Sequence, residues 1–256
     1  MDWLYPLSGL VVGLIVGLTG VGGGSLMTPL LVLLFGIQPA VAVGTDLLYA
    51  AITKSGGILA HGKQGNIDWK TVGLLASGSV PAALLTTLGL HQLHIDATHT
   101  ALLIKTTLGV ALLLTALAIV FRARLSRFSQ QSGWIKPGRV APATVVVGAI
   151  LGVMVTISSV GAGAIGVAAL FFLYPNLSPV RIVGTDIAHA VPLTLVAGLG
   201  HASLGTVDYY LLGSLLIGSL PGIWLGSHLS SRMPEQWLRG ALATMLVLIG
   251  GKLVIS

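Results

Sequence analysis

The chain repeats itself. Val43-Gly44-Thr45-Asp46 returns 140 positions later as Val183-Gly184-Thr185-Asp186. His61, Gly65 and Asp68 return as His201, Gly205 and Asp208, and Ser79-x-Pro81 returns as Ser219-x-Pro221. Any fold for this sequence must therefore build one architecture twice, with an acidic residue inside an apolar stretch of each copy. Duplications of this kind are typical of secondary transporters, whose sites form where two repeats meet.

The apolar character is extreme. The 256 residues are 54% hydrophobic and 8% charged, with mean hydropathy +0.96, whereas about a quarter of a soluble domain is charged. The chain reads as a polytopic membrane protein with the lipid bilayer as its surroundings. Its net charge of +6 does not point to nucleic acid. Five of the thirteen basic residues (Arg122, Arg124, Arg127, Lys136, Arg139) sit in one connecting segment, as the positive-inside rule expects of a cytoplasmic loop. Cysteine is absent, which removes disulfides, thiolate metal sites and haem attachment, and no cofactor is expected. Met1-Asp2 supplies no basic leader, so the first apolar run is expected to stay in the mature fold.

Apolar length divides the first copy into 4–19, 25–35, 39–60, 68–90 and 98–121, and the second into 140–157, 164–174, 179–200, 208–229 and 236–254. Segments near 20 residues match a hydrocarbon core of about 30 Å. A single helix over 4–35 would run about 48 Å, too long for one crossing. The cluster Gly20-Val21-Gly22-Gly23-Gly24 therefore predicts a hairpin of two short helices, and Ser158-Ser159-Val160-Gly161-Ala162-Gly163 predicts its counterpart.

With a hairpin and three spanning helices per copy, Lys63, Lys70, the five basic residues of 122–139, Arg181, Arg232 and Arg239 fall on one side, and only Lys252 on the other. The expected fold is all-α: two inverted repeats (1–121 and 140–256) around a basic cytoplasmic linker (122–139). It would have eight to ten membrane segments, with both termini periplasmic and the chain in the inner membrane.

Glycine clusters free the backbone from helical geometry, and the helix that follows begins with unpaired N–H groups. Within a membrane such backbone survives only when buried in protein or lining a cavity. Its N–H groups and the helix dipole attract anions. Gly22, Gly23, Gly24 and Ser25 of the first copy, and Ser159, Gly161 and Gly163 of the second, are thus candidate substrate contacts. Close helix packing is the alternative account.

Asp46 and Asp186 fall well inside their spans, where a carboxylate costs several kcal/mol unless paired or protonated. Each can either bind the loose N–H groups of a glycine break or carry a coupling proton. Thr45 and Thr185 either line the cavity or bond back to their own helix. Lys54 is a buried cation that needs a carboxylate, an anionic ligand or neutralisation, with snorkelling as the further account, and Lys105 lies near enough to a helix end to snorkel. His189, one turn beyond Asp186, is either a proton relay or a satisfied core histidine.

Asp68 and Asp208 precede aromatic residues at helix starts, so capping and interfacial anchoring account for them and for the neighbouring His61 and His201. His91, His94, Asp96 and His99 share one loop without the helical spacing of a zinc site and are read as polar loop. Gly218-x3-Gly222-x3-Gly226 is a packing stripe.

Together, Gly20-Val21-Gly22-Gly23-Gly24-Ser25 with Pro29, Ala42 through Asp46, and His61-x3-Gly65-x2-Asp68-Trp69, with a degenerate second copy, resemble the TauE/SafE family of sulfite exporter-like transporters over essentially the whole chain. That family typically carries Ser or Thr-Ser where this chain has Thr45-Asp46, so both aspartates depart from it. The resemblance implies secondary transport of a small sulfur-containing anion such as sulfite, thiosulfate or an organosulfonate. The expected partners are that anion and protons. A homodimer is allowed, and nucleic acid is not. A passive anion channel is the alternative, and an intramembrane hydrolase using Ser25 with His61 a remoter one, since no G-x-S-x-G elbow surrounds Ser25.

Overall fold

The computed structural model describes residues 3–19, 24–92, 97–132, 137–229 and 235–255. The first copy forms α1 (Leu4–Thr19), α2 (Gly24–Leu33), α3 (Pro39–Lys63), α4 (Trp69–Gln92) and α5 (Ala97–Ser132). The second forms α6 (Pro137–Ser158), α7 (Ala164–Leu173), α8 (Pro179–Ser203), α9 (Tyr209–Leu229) and α10 (Glu235–Ile255). No strand occurs among the described residues. Among the described residues five helices are long and apolar enough to cross a membrane: Trp69–Gln92, Ala101–Phe121, Gly138–Ser158, Pro179–Ser203 and Tyr209–Gly226. α3 matches α8 at 25 residues, but Asp46 and Lys54 interrupt its apolar run. The protein is a multi-pass, all-helical membrane protein.

Local chemistry sets the helix limits. Pro39 and Pro179 occupy the first turns of α3 and α8, where a missing N–H costs nothing. The Ser178 hydroxyl accepts the Arg181 N–H at 3.4 Å. Both helices stop in the same way. Gly65 (φ 69°) and Gly205 (φ 71°) adopt left-handed backbone, and the N–H groups of Asn66 and Thr206 reach back to the His61 and His201 carbonyls at 3.0 Å. This glycine-terminated closure explains why Gly follows each His at the same offset.

One boundary differs from the apolar pattern. α5 runs on for 36 residues through Ser132, taking in the first part of the basic segment 122–139. Arg is a good helix former, so leaving the apolar run at Phe121 does not end the helix.

Helices of the two copies pack on one another. α1 lies along α9 and α4 along α6, which is the same pairing with the copies exchanged. Gly218, Gly222 and Gly226 face the α1 backbone so closely that a Cβ would strike the carbonyl oxygens of Pro6, Leu10 and Leu14. This is the packing role expected of that stripe.

α3 and α8 pack against each other and run antiparallel. Gly44 lies beside His201 and Gly57 beside Ile187, while Gly198 lies beside Leu48 and Gly184 beside His61. The α8 span is 61% buried against 33% for α4 and α6, and α3 packs on it with Ala42, Val43, Leu47 and Tyr49 buried, so the pair forms the centre. Outer helices turn Leu85, Leu88, Val120 and Leu248 outward, as a lipid-facing surface requires.

Candidate functional site

The two repeated motifs are halves of one contact, made across the copies. Thr45 Oγ1 accepts the Asp208 N–H at 3.0 Å, and Thr185 Oγ1 accepts the Asp68 N–H at 2.9 Å. A Cβ at Gly44 would overlap the Thr206 carbonyl oxygen, and one at Gly184 the Asn66 carbonyl oxygen. Each Val-Gly-Thr-Asp segment thus docks on the turn that ends the central helix of the other copy. The threonines, candidates for lining a cavity, spend their hydroxyl acceptors on this clasp.

Asp208 Oδ1 caps α9 through the Leu211 N–H at 2.9 Å, and Asp68 Oδ2 accepts the Thr71 hydroxyl at 2.9 Å. Trp69, Tyr209 and Tyr210 beside them are exposed. His201 is a satisfied core histidine, with Nε2 2.9 Å from the Thr156 carbonyl and Nδ1 2.9 Å from Thr206 Oγ1. His61 Nδ1 makes no hydrogen bond.

The second-copy glycine cluster interrupts the helix as predicted. α6 ends at Ser158 and α7 begins at Ala164, with φ of 59° at Ser159, 126° at Gly161 and 132° at Gly163. Only glycine takes the last two values without strain. Ser158 Oγ closes the helix end by accepting the Val160 N–H at 3.2 Å and donating to the Met154 carbonyl at 2.7 Å. The N–H groups of residues 161–165 find no backbone acceptor among the described residues. In the first copy Gly20, Val21, Gly22 and Gly23 lie outside the described residues. Gly24 opens α2, and the next residue, Ser25, is buried.

Buried charge collects beside the second break. Lys54 Nζ donates to the Ala162 carbonyl at 3.0 Å, so a cation from α3 ends inside the interruption of the other copy. Its charge acts on both Asp46 and Asp186. Asp46 Oδ2 accepts the Thr28 hydroxyl at 2.5 Å, and the Ser159 hydroxyl faces the same carboxylate without closing a bond. Asp186 Oδ1 rests against Gly166 in the first turn of α7 and receives no donor.

His189 Nε2 lies 2.8 Å from Ser79 Oγ, while its Nδ1 is unpartnered. The matching position in α3 is Tyr49, whose hydroxyl faces Ser219. Asp46, Asp186 and His189 are at most 1% exposed and Lys54 is 9% exposed, so the site is closed in this conformation. A separate groove lined by Trp3, Pro6, Leu7, Leu10 and Gly218 carries no titratable side chain and belongs to the lipid-facing surface.

The structure therefore brings Lys54, Asp46, Asp186, Ser159 and the 161–163 backbone to one centre, with His189 close enough to feel the Lys54 charge. Sequence reasoning missed Thr28 and Tyr49. Tyr49 had a signal, since it stands at the position of His189 after the repeated aspartate. Thr28 had none, because nothing in the spacing links it to Asp46.

The geometry suits an anion held by amide hydrogens and one ammonium, with carboxylates within electrostatic reach. Comparison with known proteins agrees with a transport role. The family model described as "Sulfite exporter TauE/SafE" matches residues 5–253. The chain is similar to "Probable membrane transporter protein YjnA" of Bacillus subtilis, 43% identical over 97% of this chain and 98% of that one. It is also similar to "Probable membrane transporter protein YdhB" of the same organism, 31% identical over 84% of each. A third relative, "Probable membrane transporter protein MJ0441" of Methanocaldococcus jannaschii, is 28% identical over 84% of this chain and 78% of the relative. No solved structure matches it significantly. A match of this extent, on a helical membrane fold whose repeated motifs clasp each other, makes the chain a member of the TauE/SafE sulfite exporter family.

Proposed function

We propose that the protein is a secondary transporter that moves a small anion, of the sulfite, thiosulfate or organosulfonate class, by alternating access and with proton coupling. One observation carries this reading: the Lys54 ammonium reaches the Ala162 carbonyl beside the free N–H groups of residues 161–165. An oxyanion there would meet converging amide hydrogens, the positive end of α7 and a full positive charge. Ser159 and Gly163 shape that cradle, and Ser25 with Gly22, Gly23 and Gly24 would supply its first-copy counterpart. Asp46, Asp186 and His189 would stabilise the interruptions or handle protons.

Purified protein in liposomes provides the test. Saturable flux of sulfite, thiosulfate or a sulfonate that follows an imposed pH gradient is expected. Ohmic current without saturation would instead make the protein a passive channel, and absence of flux for the whole panel would end the reading.

Alternating access in this reading uses inverted copies, and the antiparallel packing of α3 on α8 supports that orientation. Both termini would then lie outside an inner membrane, with the basic segment 122–139 inside. Tags fused at the two ends should be labelled by an impermeant reagent applied from the periplasmic side. Labelling of either end only after the membrane is opened would contradict the arrangement.

A further inference from the structure

The buried centre is unequal in charge. Lys54 supplies one cation, while Asp46 and Asp186 supply two carboxylates. Among the described residues nothing else facing Asp186 alters the balance. From α3 it faces Lys54, with Asp46 beyond. On its own helix His189 is one turn away, Nε2 engaged with Ser79 of α4. α7 contains no titratable side chain, and the only one in α6 is Arg139, exposed near its start. Gly20, Val21, Gly22 and Gly23 of the first interruption carry no ionisable side chain either. With both carboxylates ionised the centre holds an uncompensated negative charge, which is costly in a membrane interior and repels an anion.

The two carboxylates are not equivalent. Asp46 Oδ2 accepts the Thr28 hydroxyl. Both aspartates leave Oδ1 unpartnered, but the corresponding stretch of α7, Gly166-Val167-Ala168, has no hydroxyl, so Asp186 at 1% residue exposure lacks the donor that Asp46 has. A carboxyl that takes up a proton gains an O–H donor and loses its repulsion for an anion.

We infer that Asp186 binds one proton together with each transported anion, so that the two move in the same direction. This rests on the anion-transport reading above and adds to it the carrier residue and the sign of coupling. Anion and proton then bind cooperatively, because each removes the electrostatic obstacle to the other. A monovalent anion would cross without net charge, and a divalent one would carry current.

The test uses full-length protein in liposomes with methanesulfonate and thiosulfate, whose own charges stay fixed from mildly acidic to mildly alkaline pH. Methanesulfonate affinity is expected to fall by about tenfold per pH unit on the alkaline side, the slope of one linked proton. Acid outside should drive methanesulfonate inward regardless of clamped voltage, while thiosulfate flux should respond to voltage. Asp186→Asn should bind methanesulfonate without that slope and exchange it without accumulating it. Asp186→Glu should restore the slope with a shifted pH midpoint.

Flux that is independent of pH, or that moves protons against the anion, overturns the inference and leaves transport standing. A slope that persists in Asp186→Asn overturns the assignment to Asp186; if that variant fails to insert, Asp186→Glu decides the matter, since an unshifted pH midpoint there overturns it. Failure of both anions to bind or cross overturns the transport reading and this inference with it.

Discussion

Replacing Lys54 by methionine is expected to lower anion flux by about a hundredfold or more while the protein still reaches the membrane. Methionine keeps most of the side chain's length and apolar stem, so packing between α3 and the second glycine break survives. What disappears is the ammonium at 3.0 Å from the Ala162 carbonyl and the charge that balances Asp46 and Asp186. Removing one partner from a buried charge arrangement costs about 3–5 kcal/mol, and each 1.4 kcal/mol or so is a factor of ten in an equilibrium. The Lys54→Met/Asp186→Asn pair should recover the lost thermal stability in detergent but not the flux. That split separates a charge needed for folding from one needed for the anion. Native-like flux in Lys54→Met would remove the ammonium from the site altogether.

Duplication has produced one buried charged centre. The clasp is symmetric, since Thr45 and Thr185 make the same bond to Asp208 and Asp68. The charges are not. Lys54 is matched by Thr194, whose hydroxyl turns back to the Ala190 carbonyl at 2.8 Å, and Tyr49 is matched by His189. Two equivalent lysines would put two cations beside two carboxylates and leave no room for a net proton. Symmetry in the clasp keeps the copies interchangeable as scaffolds, while in the proposed reading the asymmetry in the charges would set where substrate and proton bind.

Much of the scaffold was legible because membrane helices are dictated by apolar length and by a few breakers. Pro39, Pro179, the Gly161–Gly163 interruption and the ends near Gly65 and Gly205 fall where the pattern places them. The continuation of α5 past Phe121 was hidden, because hydropathy reports the membrane edge whereas helix propensity continues through Arg122 and Arg124. The clasp was half visible. Its motifs stood out as repeats, but Thr45 and its partner Asp208 are 163 residues apart, and no local periodicity encodes a bond between copies. The link from Lys54 to Ala162 spans 108 residues and was invisible for the same reason. Buried cations in membranes must find partners, so the sequence posed the question without naming the answer.

Gly44→Val and Gly184→Val are each expected to prevent accumulation of folded protein. A Cβ at either site would overlap a backbone carbonyl oxygen, Thr206 or Asn66, and neither can rotate away like a flexible side chain. Relief requires separating α3 or α8 from the turn on which it docks. Overpacking of this kind costs about 1–3 kcal/mol or more. The shift also stretches the adjacent Thr45 or Thr185 hydrogen bond, worth about 0.5–1.5 kcal/mol when made and more when its groups are left buried and unpaired. Gly56→Ala is the control, because a Cβ there meets nothing within 4 Å. A helical alanine should hold stability or raise it by about 0.4–1 kcal/mol. Size-exclusion profiles and melting curves in detergent read all three variants. Melting of Gly44→Val alongside the parent protein would mean that the reciprocal docking of the repeated motifs does not hold the two copies together.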